Sequence, residues 1–346
     1  MNQLGRGERE LADCIGDHYD KTWAKLYLRS VGQDTIFDRT KWNWPVNTKS
    51  ILAELKKGPL VVFMAQDPYN DHEKDTANQL QEITDNFVIL SGNAKYFLNP
   101  KKHICYFPYT FLAQKLLFEK NGIAPMQASD TPRPYIISSL GGKSRYHRIE
   151  DFIKLREKPY FDKLLVTIHN NFDLEECKLE TQIEFWNDDI IKKFQSLILS
   201  GELQQGHTID HSIVHPAYID SYINYVTETS IRTTEIYQSE KTFKPFMSGQ
   251  FGIWLSSPGH VEFLRAVGFD VFDDVFNGHA YDSEPNLNKR IDMIHDLVDD
   301  IMSQDLTQIF QDTVARRQAN IDQFYSDDLE TVLTRQCQDY CAIINA

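Results

Sequence analysis

Short apolar runs alternate with polar, helix-like stretches along most of this chain. The run Leu60-Val61-Val62-Phe63-Met64 comes first, and the run from Phe87 to Leu90 repeats it. Continuous apolar runs rich in β-branched residues are typical of parallel strands buried on both faces. The stretch between them, residues 75–84, has helical composition, so the pattern predicts a βαβ unit. The further elements predicted in this part are a strand at 104–107 and a helix at 110–120.

A proline-rich stretch interrupts this alternation. Residues 123–134 hold three prolines and almost no periodicity, which is typical of a linker. Beyond it, strands are predicted at 135–140, 164–168, 222–227 and 251–255, and helices at 146–157, at 183–199, from residue 241 and at 257–267. The last of these helices has Ser257 as its predicted N-cap, Pro258 as its first residue and Gly268 as its terminator.

Two successive α/β halves and a helical tail follow from this pattern. A chain of 346 residues is long enough for two domains that each bury a core. We expect one α/β domain at 1–130, a second at 131–305 and a helical segment at 306–346 that packs back across the domains. Residues 288–346 are helical in composition and include an apolar stripe at helical spacing, Ile291, Ile294, Leu297, Val298 and Ile301.

Composition and charge restrict the class of protein. Hydrophobic residues make up 41% and charged residues 25%, which is typical of a globular chain. We find no signal peptide and no apolar run near the roughly 18–20 residues of a membrane-spanning helix. Five cysteines without a C-x-x-C pair argue against a disulfide framework and favour a cytoplasmic location. The formal net charge of −14 means that the overall field does not attract nucleic acid.

A glycine pair and a basic cluster precede the helix predicted at 146–157. Gly141-Gly142 lets the backbone turn tightly and approach a ligand, and a helix N-terminus attracts anions. Lys143, Arg145 and Arg148 add positive charge, and arginine suits bidentate contacts with phosphate. The segment therefore predicts a site for a diphosphate. It matches neither the P-loop nor G-x-G-x-x-G, and a solvated basic turn is the alternative.

A second charged segment, Glu240-Lys241, opens the helix predicted from residue 241. Cations at a helix N-terminus oppose the macrodipole, so Lys241 and Lys244 are unfavourable there unless an anion binds. An ordinary surface ion pair is the alternative. Glu228 ends the strand predicted at 222–227, at the edge where α/β sheets bind ligands, unless it is a plain solvent-facing strand end.

Candidates for catalysis and metal binding are fewer. Asp67 follows the first predicted strand and is our candidate general base, although an aspartate that forms a turn before Pro68 explains the same residue. The histidines show no H-E-x-x-H or comparable spacing, so we predict no metal site. Cys337 and Cys341 are placed to share one face of a terminal helix, without a second pair to complete a metal site.

The segment 239–273 resembles the C-terminal domain of GT-B glycosyltransferases like the α1,3-fucosyltransferases and their phage and bacterial relatives. The matching residues are Glu-Lys-Thr-Phe-Lys-Pro at 240–245, Gly-Gln-Phe-Gly-Ile at 249–253 and Phe-Leu-Arg-Ala-Val-Gly-Phe-Asp-Val-Phe at 263–272. The basic stretch 142–162 is similar to the Arg-x-His-Arg segment of those enzymes. The resemblance covers roughly residues 135–295.

The resemblance implies two Rossmann-like domains facing a cleft, with the acceptor side in the N-terminal one. It also implies a metal-independent transfer of sugar from a nucleotide-diphosphate sugar to an acceptor hydroxyl, with no further cofactor. In this reading Glu240 binds the ribose, Lys241 binds the phosphates and Glu228 is a second nucleotide contact. The residues that neutralise the leaving diphosphate are Lys143, Arg145 and Arg148.

Alternatives to this function stay open at the level of sequence. The resemblance does not identify the acceptor: a glycan is one candidate, and phage DNA that carries a hydroxymethylated base is the alternative. A nucleotide-binding module without transfer activity is the alternative from another class. The sugar, the nucleotide and the stereochemistry of transfer are not given by these residues.

Overall fold

The computed structural model describes residues 55, 56, 58, 60–64, 72–168, 172–180, 185–201, 203 and 217–344. Their contacts divide the chain into two compact units. Unit 1 takes the described residues within Met1–Ala124, Thr234–Gln238 and Tyr325–Ala346, and unit 2 takes those within Pro125–Thr233 and Ser239–Phe324. None of the helices in these ranges combines the length and apolar character needed to cross a membrane.

Unit 1 contains a parallel sheet with strand order β1-β2-β3. The strands are β1 (Leu60–Met64), β2 (Phe87–Ser91) and β3 (Ile104–Tyr106), and the helices are α1 (His72–Gln81), α2 (Lys95–Leu98) and α3 (Tyr109–Lys120). Every residue of β2 is buried, as expected for a continuous apolar run at the centre of a covered sheet. The three predicted strands and the predicted helices of this part are confirmed, with α1 shifted by about three residues.

Unit 2 contains a parallel sheet with strand order β5-β4-β6-β7. The strands are β4 (Tyr135–Leu140), β5 (Leu164–Thr167), β6 (Ser221–Thr227) and β7 (Phe251–Leu255). The helices are α4 (Tyr146–Arg156), α5 (Leu174–Glu180), α6 (Asp188–Leu199), α7 (Ala217–Asp220), α8 (Lys244–Met247), α9 (His260–Ala266), α10 (Leu287–Met302), α11 (Leu306–Asp312) and α12 (Val314–Tyr325). All four predicted strands are confirmed, so the α/β class is correct for both units.

The order of strands reverses between β4 and β6. After β4 the chain passes through α4 to β5 on one side of β4, whereas β6 pairs with the other side. In open α/β sheets, ligands bind outside the carboxyl ends of the strands at such a switch point. The segments that leave these two strands begin at Gly141 and Glu228, so the basic turn after β4 and Glu228 both lie at the carboxyl edge of the sheet.

The prediction that a helix begins at Lys241 is wrong. Residues 240–243 form turns, and α8 begins at Lys244 and has only four residues. A helix that started at Lys241 would need the N–H of Pro245 to donate to the Lys241 carbonyl, and proline has no N–H. Lys244 N donates to that carbonyl instead, at 3.1 Å.

The helix predicted at 257–267 also begins later than expected. It starts at His260 because Gly259 adopts a left-handed conformation with φ of 86°. The cap comes from Asp282, whose carboxylate accepts hydrogen bonds from the N–H groups of Val261 and Glu262 at 3.0 Å each. The predicted end is confirmed, since Gly268 has φ of 96° and Phe269 N donates to Leu264 O at 3.1 Å.

The C-terminal helices divide between the two units. The apolar stripe of α10 is buried in unit 2. Residues 306–324 also belong to unit 2, and residues 325–346, which include α13 (Asp327–Ile344), belong to unit 1. Within unit 1, Gln336 of α13 accepts a hydrogen bond from Tyr106 N at 2.8 Å. The final helix therefore completes the unit in which the sheet β1-β2-β3 lies.

Candidate functional site

The turn after β4 begins with a glycine that packing requires. A Cβ atom on Gly141 would lie 2.7 Å from the carbonyl oxygen of Thr167, at the end of β5. Gly141 N donates to the same oxygen at 2.8 Å. Gly141 is thus explained by the close approach of β5, whereas a Cβ on Gly142 would make only an ordinary contact with Arg148.

Arg148 holds the start of α4 to the end of β6. Its guanidinium donates to the carbonyl oxygens of Lys143 at 3.1 Å, Thr227 at 2.9 Å and Glu228 at 3.0 Å. The side chain is buried. These contacts give Arg148 a positioning role at the end of β6.

His147 contacts the same strand end. Its Nε2 lies 2.9 Å from the carbonyl oxygen of Glu228. Since a carbonyl only accepts, Nε2 carries the proton. Burial, together with the neighbouring Arg148 guanidinium, holds the pKa of His147 well below its usual range. His147 is therefore a neutral donor that fixes Glu228.

Glu228 is fully buried, which excludes a plain solvent-facing strand end. One carboxylate oxygen accepts a hydrogen bond from the Thr242 hydroxyl, and the other accepts from Thr229 N at 3.2 Å. The backbone N–H of Glu228 donates to Leu255 O, at the end of β7, at 2.9 Å. The backbone of Glu228 therefore bonds to the segment that starts α4, and its side chain bonds to the turn at 240–243.

The turn at 240–243 carries an ion pair between Glu240 and Lys241. Their side chains are 17% and 22% exposed, so both reach the surface of unit 2. Burial alone would raise the pKa of Glu240, but the charges of Lys241 and Lys244 lower it to about 2. Thr242 O accepts from Trp254 Nε1 at 3.1 Å, which ties the turn to β7. The carboxylate is therefore ionised at neutral pH beside two cations.

The two charged segments singled out in the sequence converge on one residue. Arg148 and His147 bind the carbonyl of Glu228, and Thr242, next to the Glu240-Lys241 pair, binds its carboxylate.

No family model, curated protein or solved structure matches this chain. The geometry of this edge of the sheet, defined by the ends of β4, β6 and β7, is what bears on function.

His260 belongs to this edge and was missed in the sequence. It is fully buried, and neither ring nitrogen has a hydrogen-bond partner among the described residues. Burial lowers the pKa of His260, against the opposing charges of Glu228 and Asp282. A neutral imidazole offers one donor and one acceptor. The signal available in the sequence was its place just after the strand predicted at 251–255.

The remaining candidates are placed as follows. Arg145 is the N-cap residue of α4, with φ −84° and ψ 152°, and its charge lowers the pKa of the adjacent His147. Lys143 lies in the turn before it, and its carbonyl accepts from Arg145 N at 2.9 Å. Asp67 lies outside the described residues. Within the described ranges, no three His, Cys, Asp or Glu side chains come together as a bound metal ion would require.

Proposed function

We propose that unit 2 binds a nucleoside diphosphate sugar and that the protein transfers the sugar to an acceptor hydroxyl without a metal ion. The observation that carries this proposal is the convergence of two cationic segments on Glu228 at the switch point of a parallel sheet. A cluster of this kind suits a ligand that combines negative charge with hydroxyl groups.

The charges at this edge suit the two parts of such a ligand. Lys143, Arg145 and Lys241 would meet the diphosphate, and electrostatic stabilisation of the leaving group would supply the main catalytic effect. The ionised Glu240 would accept hydrogen bonds from ribose hydroxyls, and the buried Glu228 would hold the turn that carries Glu240 through its bond to Thr242. Bound phosphate would then compete with Glu240 for Lys241.

The reaction also needs a binding site for the acceptor and a base that deprotonates its hydroxyl. In a GT-B arrangement unit 1 would face unit 2 across a cleft and bind the acceptor, a glycan or a hydroxymethylated base in DNA. Asp67 remains our candidate base: it follows β1 in the sequence, and a carboxylate can deprotonate an acceptor hydroxyl.

Ligand-induced stabilisation tests the nucleotide site directly. We expect one of UDP, GDP, ADP, CMP or dTDP to raise the midpoint of thermal unfolding, because a ligand at 100 times its dissociation constant adds about 2.7 kcal/mol. Lys241→Ala should reduce this rise at least by half. Lys192→Ala is the matched control, since Lys192 forms an exposed ion pair on α6 and should keep the full response.

Turnover separates an enzyme from a binding module. The donor is a sugar nucleotide with the same base as the nucleotide that stabilises the fold. With this donor we expect time-dependent release of nucleoside diphosphate, and we expect Lys241→Ala to lose this release. Binding without release over a panel of glycan and hydroxymethylated DNA acceptors would support the module instead. If no nucleotide changes the unfolding midpoint, the proposed site is wrong.

A further inference from the structure

Two cysteine thiols from distant parts of the chain are in contact inside unit 1. Cys105 lies on β3 and Cys337 on α13, and their Sγ atoms are 3.2 Å apart. Both side chains are buried. Because the bonded distance is about 2.05 Å, a disulfide would require the sulfur atoms to approach by roughly 1 Å.

Hydrogen bonds on both sides of Cys337 fix this contact. The Gln336 amide accepts from Tyr106 N at 2.8 Å and donates to Tyr96 O at 2.8 Å. One turn further along the helix, the Tyr340 hydroxyl donates to Phe87 O at 2.5 Å. These three bonds join α13 to β3, α2 and β2, in that order, and hold it in one register, so the backbone itself brings the two thiols together.

We propose that Cys105 and Cys337 are a reversible disulfide site that fastens α13 to β3 under oxidising conditions. With hydrogen peroxide as the oxidant, one thiol forms a sulfenic acid and releases one water molecule. The second thiol then attacks the sulfenic sulfur, which forms the S–S bond and releases a second water. Overall, two thiols lose two electrons to one peroxide, and a dithiol reductant reverses the bond by thiol–disulfide exchange.

The bond would restrict the unfolded chain strongly. It would join positions that are 232 residues apart, and disulfides that close longer loops remove more conformational entropy from the unfolded state. In the folded state it would add a covalent link to the hydrogen bonds that already hold α13. The oxidised protein should therefore resist unfolding of unit 1 more than the reduced protein does.

Peptide mapping after oxidation tests the site. Trypsin places Cys105 in the peptide 103–115, but it leaves Cys337 and Cys341 together in 336–346. The full chain with Cys341→Ser is therefore treated with hydrogen peroxide, denatured, alkylated and digested. We expect these two peptides to be recovered linked, with the loss of two hydrogen atoms, and to separate after treatment with dithiothreitol.

Two controls and one physical measurement complete the test. Cys105→Ala should abolish the linked peptide, whereas Cys177→Ala, which removes a buried thiol of unit 2, should leave it unchanged. The oxidised protein should unfold at a temperature about 5 °C or more above the reduced one, and Cys105→Ala should show no such difference. Recovery of Cys337 in alkylated form after peroxide treatment, or linked to another cysteine, would overturn the proposal.

Discussion

The carboxylates of Glu228 and Glu240, both in unit 2, have different surroundings. Glu228 is fully buried and accepts from a hydroxyl and a backbone N–H. Glu240 reaches the surface and pairs with a lysine. Glu228 therefore organises the backbone at the edge of the sheet, whereas Glu240 has a side chain that a ligand can contact.

Glu240 makes the stability of the protein depend on pH in the acid range. Its pKa lies at about 2, below the ordinary 4.5, so the folded state holds this proton less tightly than the unfolded state. The stabilisation is complete above pH 4.5 and is lost as the pH falls towards 2. A difference of this size corresponds to roughly 3 kcal/mol. We expect Glu240→Gln to remove this part of the decline, as measured by urea unfolding at several pH values.

A matched variant separates this effect from general acid unfolding. Glu175 is an exposed glutamate paired with Lys178 on α5. Glu175→Gln should show the same decline as the wild type, because exposed ion pairs contribute little. An identical pH profile in Glu240→Gln and the wild type would contradict the lowered pKa.

Among the helices, α9 shows that a cap can come from far along the chain. Asp282 lies about twenty residues beyond the helix start and accepts from two of its N–H groups. The Ser257 hydroxyl donates to Ser230 O instead, at 3.4 Å. We expect Asp282→Ala to lower the free energy of unfolding by about 1–2 kcal/mol, because it removes a cap and a favourable charge at a helix N-terminus.

Ser257→Ala is the natural comparison for this prediction. It removes the residue that local sequence rules name as the N-cap, and it breaks only a long hydrogen bond. Its effect on the unfolding midpoint in urea should be less than half of that of Asp282→Ala. The reverse order would mean that Ser257 caps the helix after all.

Elements whose signal is local were predictable from the sequence. The seven strands follow from short apolar runs, and the end of α9 follows from Gly268. The starts of α8 and α9 were not predicted, because Pro245 removes the N–H needed for an earlier start and Asp282 caps from a distant position. The convergence of His147, Thr242 and Glu228 depends on the strand order, which no local pattern specifies. The contacts among the candidate residues were therefore not predictable from local patterns.

At the scale of the whole molecule, unit 1 is assembled from segments that are far apart in the sequence. Its sheet and first helices come from the first part of the chain, and α13 comes from the end. Residues 234–238 add a third segment, in which Gln238 accepts a hydrogen bond from the Tyr106 hydroxyl at 2.5 Å. Tertiary contacts at such separations leave no periodic trace, so the division of the tail between units was not predictable.

A buried ion pair between α3 and α13 tests how far this assembly stabilises the protein. Lys115 Nζ lies 3.1 Å from Glu330 Oε2, and both side chains are 4% exposed. Lys115→Met leaves the Glu330 carboxylate buried without its cation, which should cost about 3–5 kcal/mol. The double variant Lys115→Met/Glu330→Leu removes both charges and should recover most of that loss. The free energy of unfolding in urea, measured for all four proteins of the cycle, gives the coupling between the two side chains.

An exposed pair provides the reference for this cycle. Lys192→Met breaks the pair with Asp189 on α6, where both side chains are more than two-thirds exposed. It should change the free energy of unfolding by less than about 0.5 kcal/mol. If Lys115→Met is equally mild, then Glu330 reaches water in solution, and α13 is bound less closely to unit 1 than its hydrogen bonds indicate. A large loss that the double variant reverses means that the last helix is part of the cooperative core of unit 1.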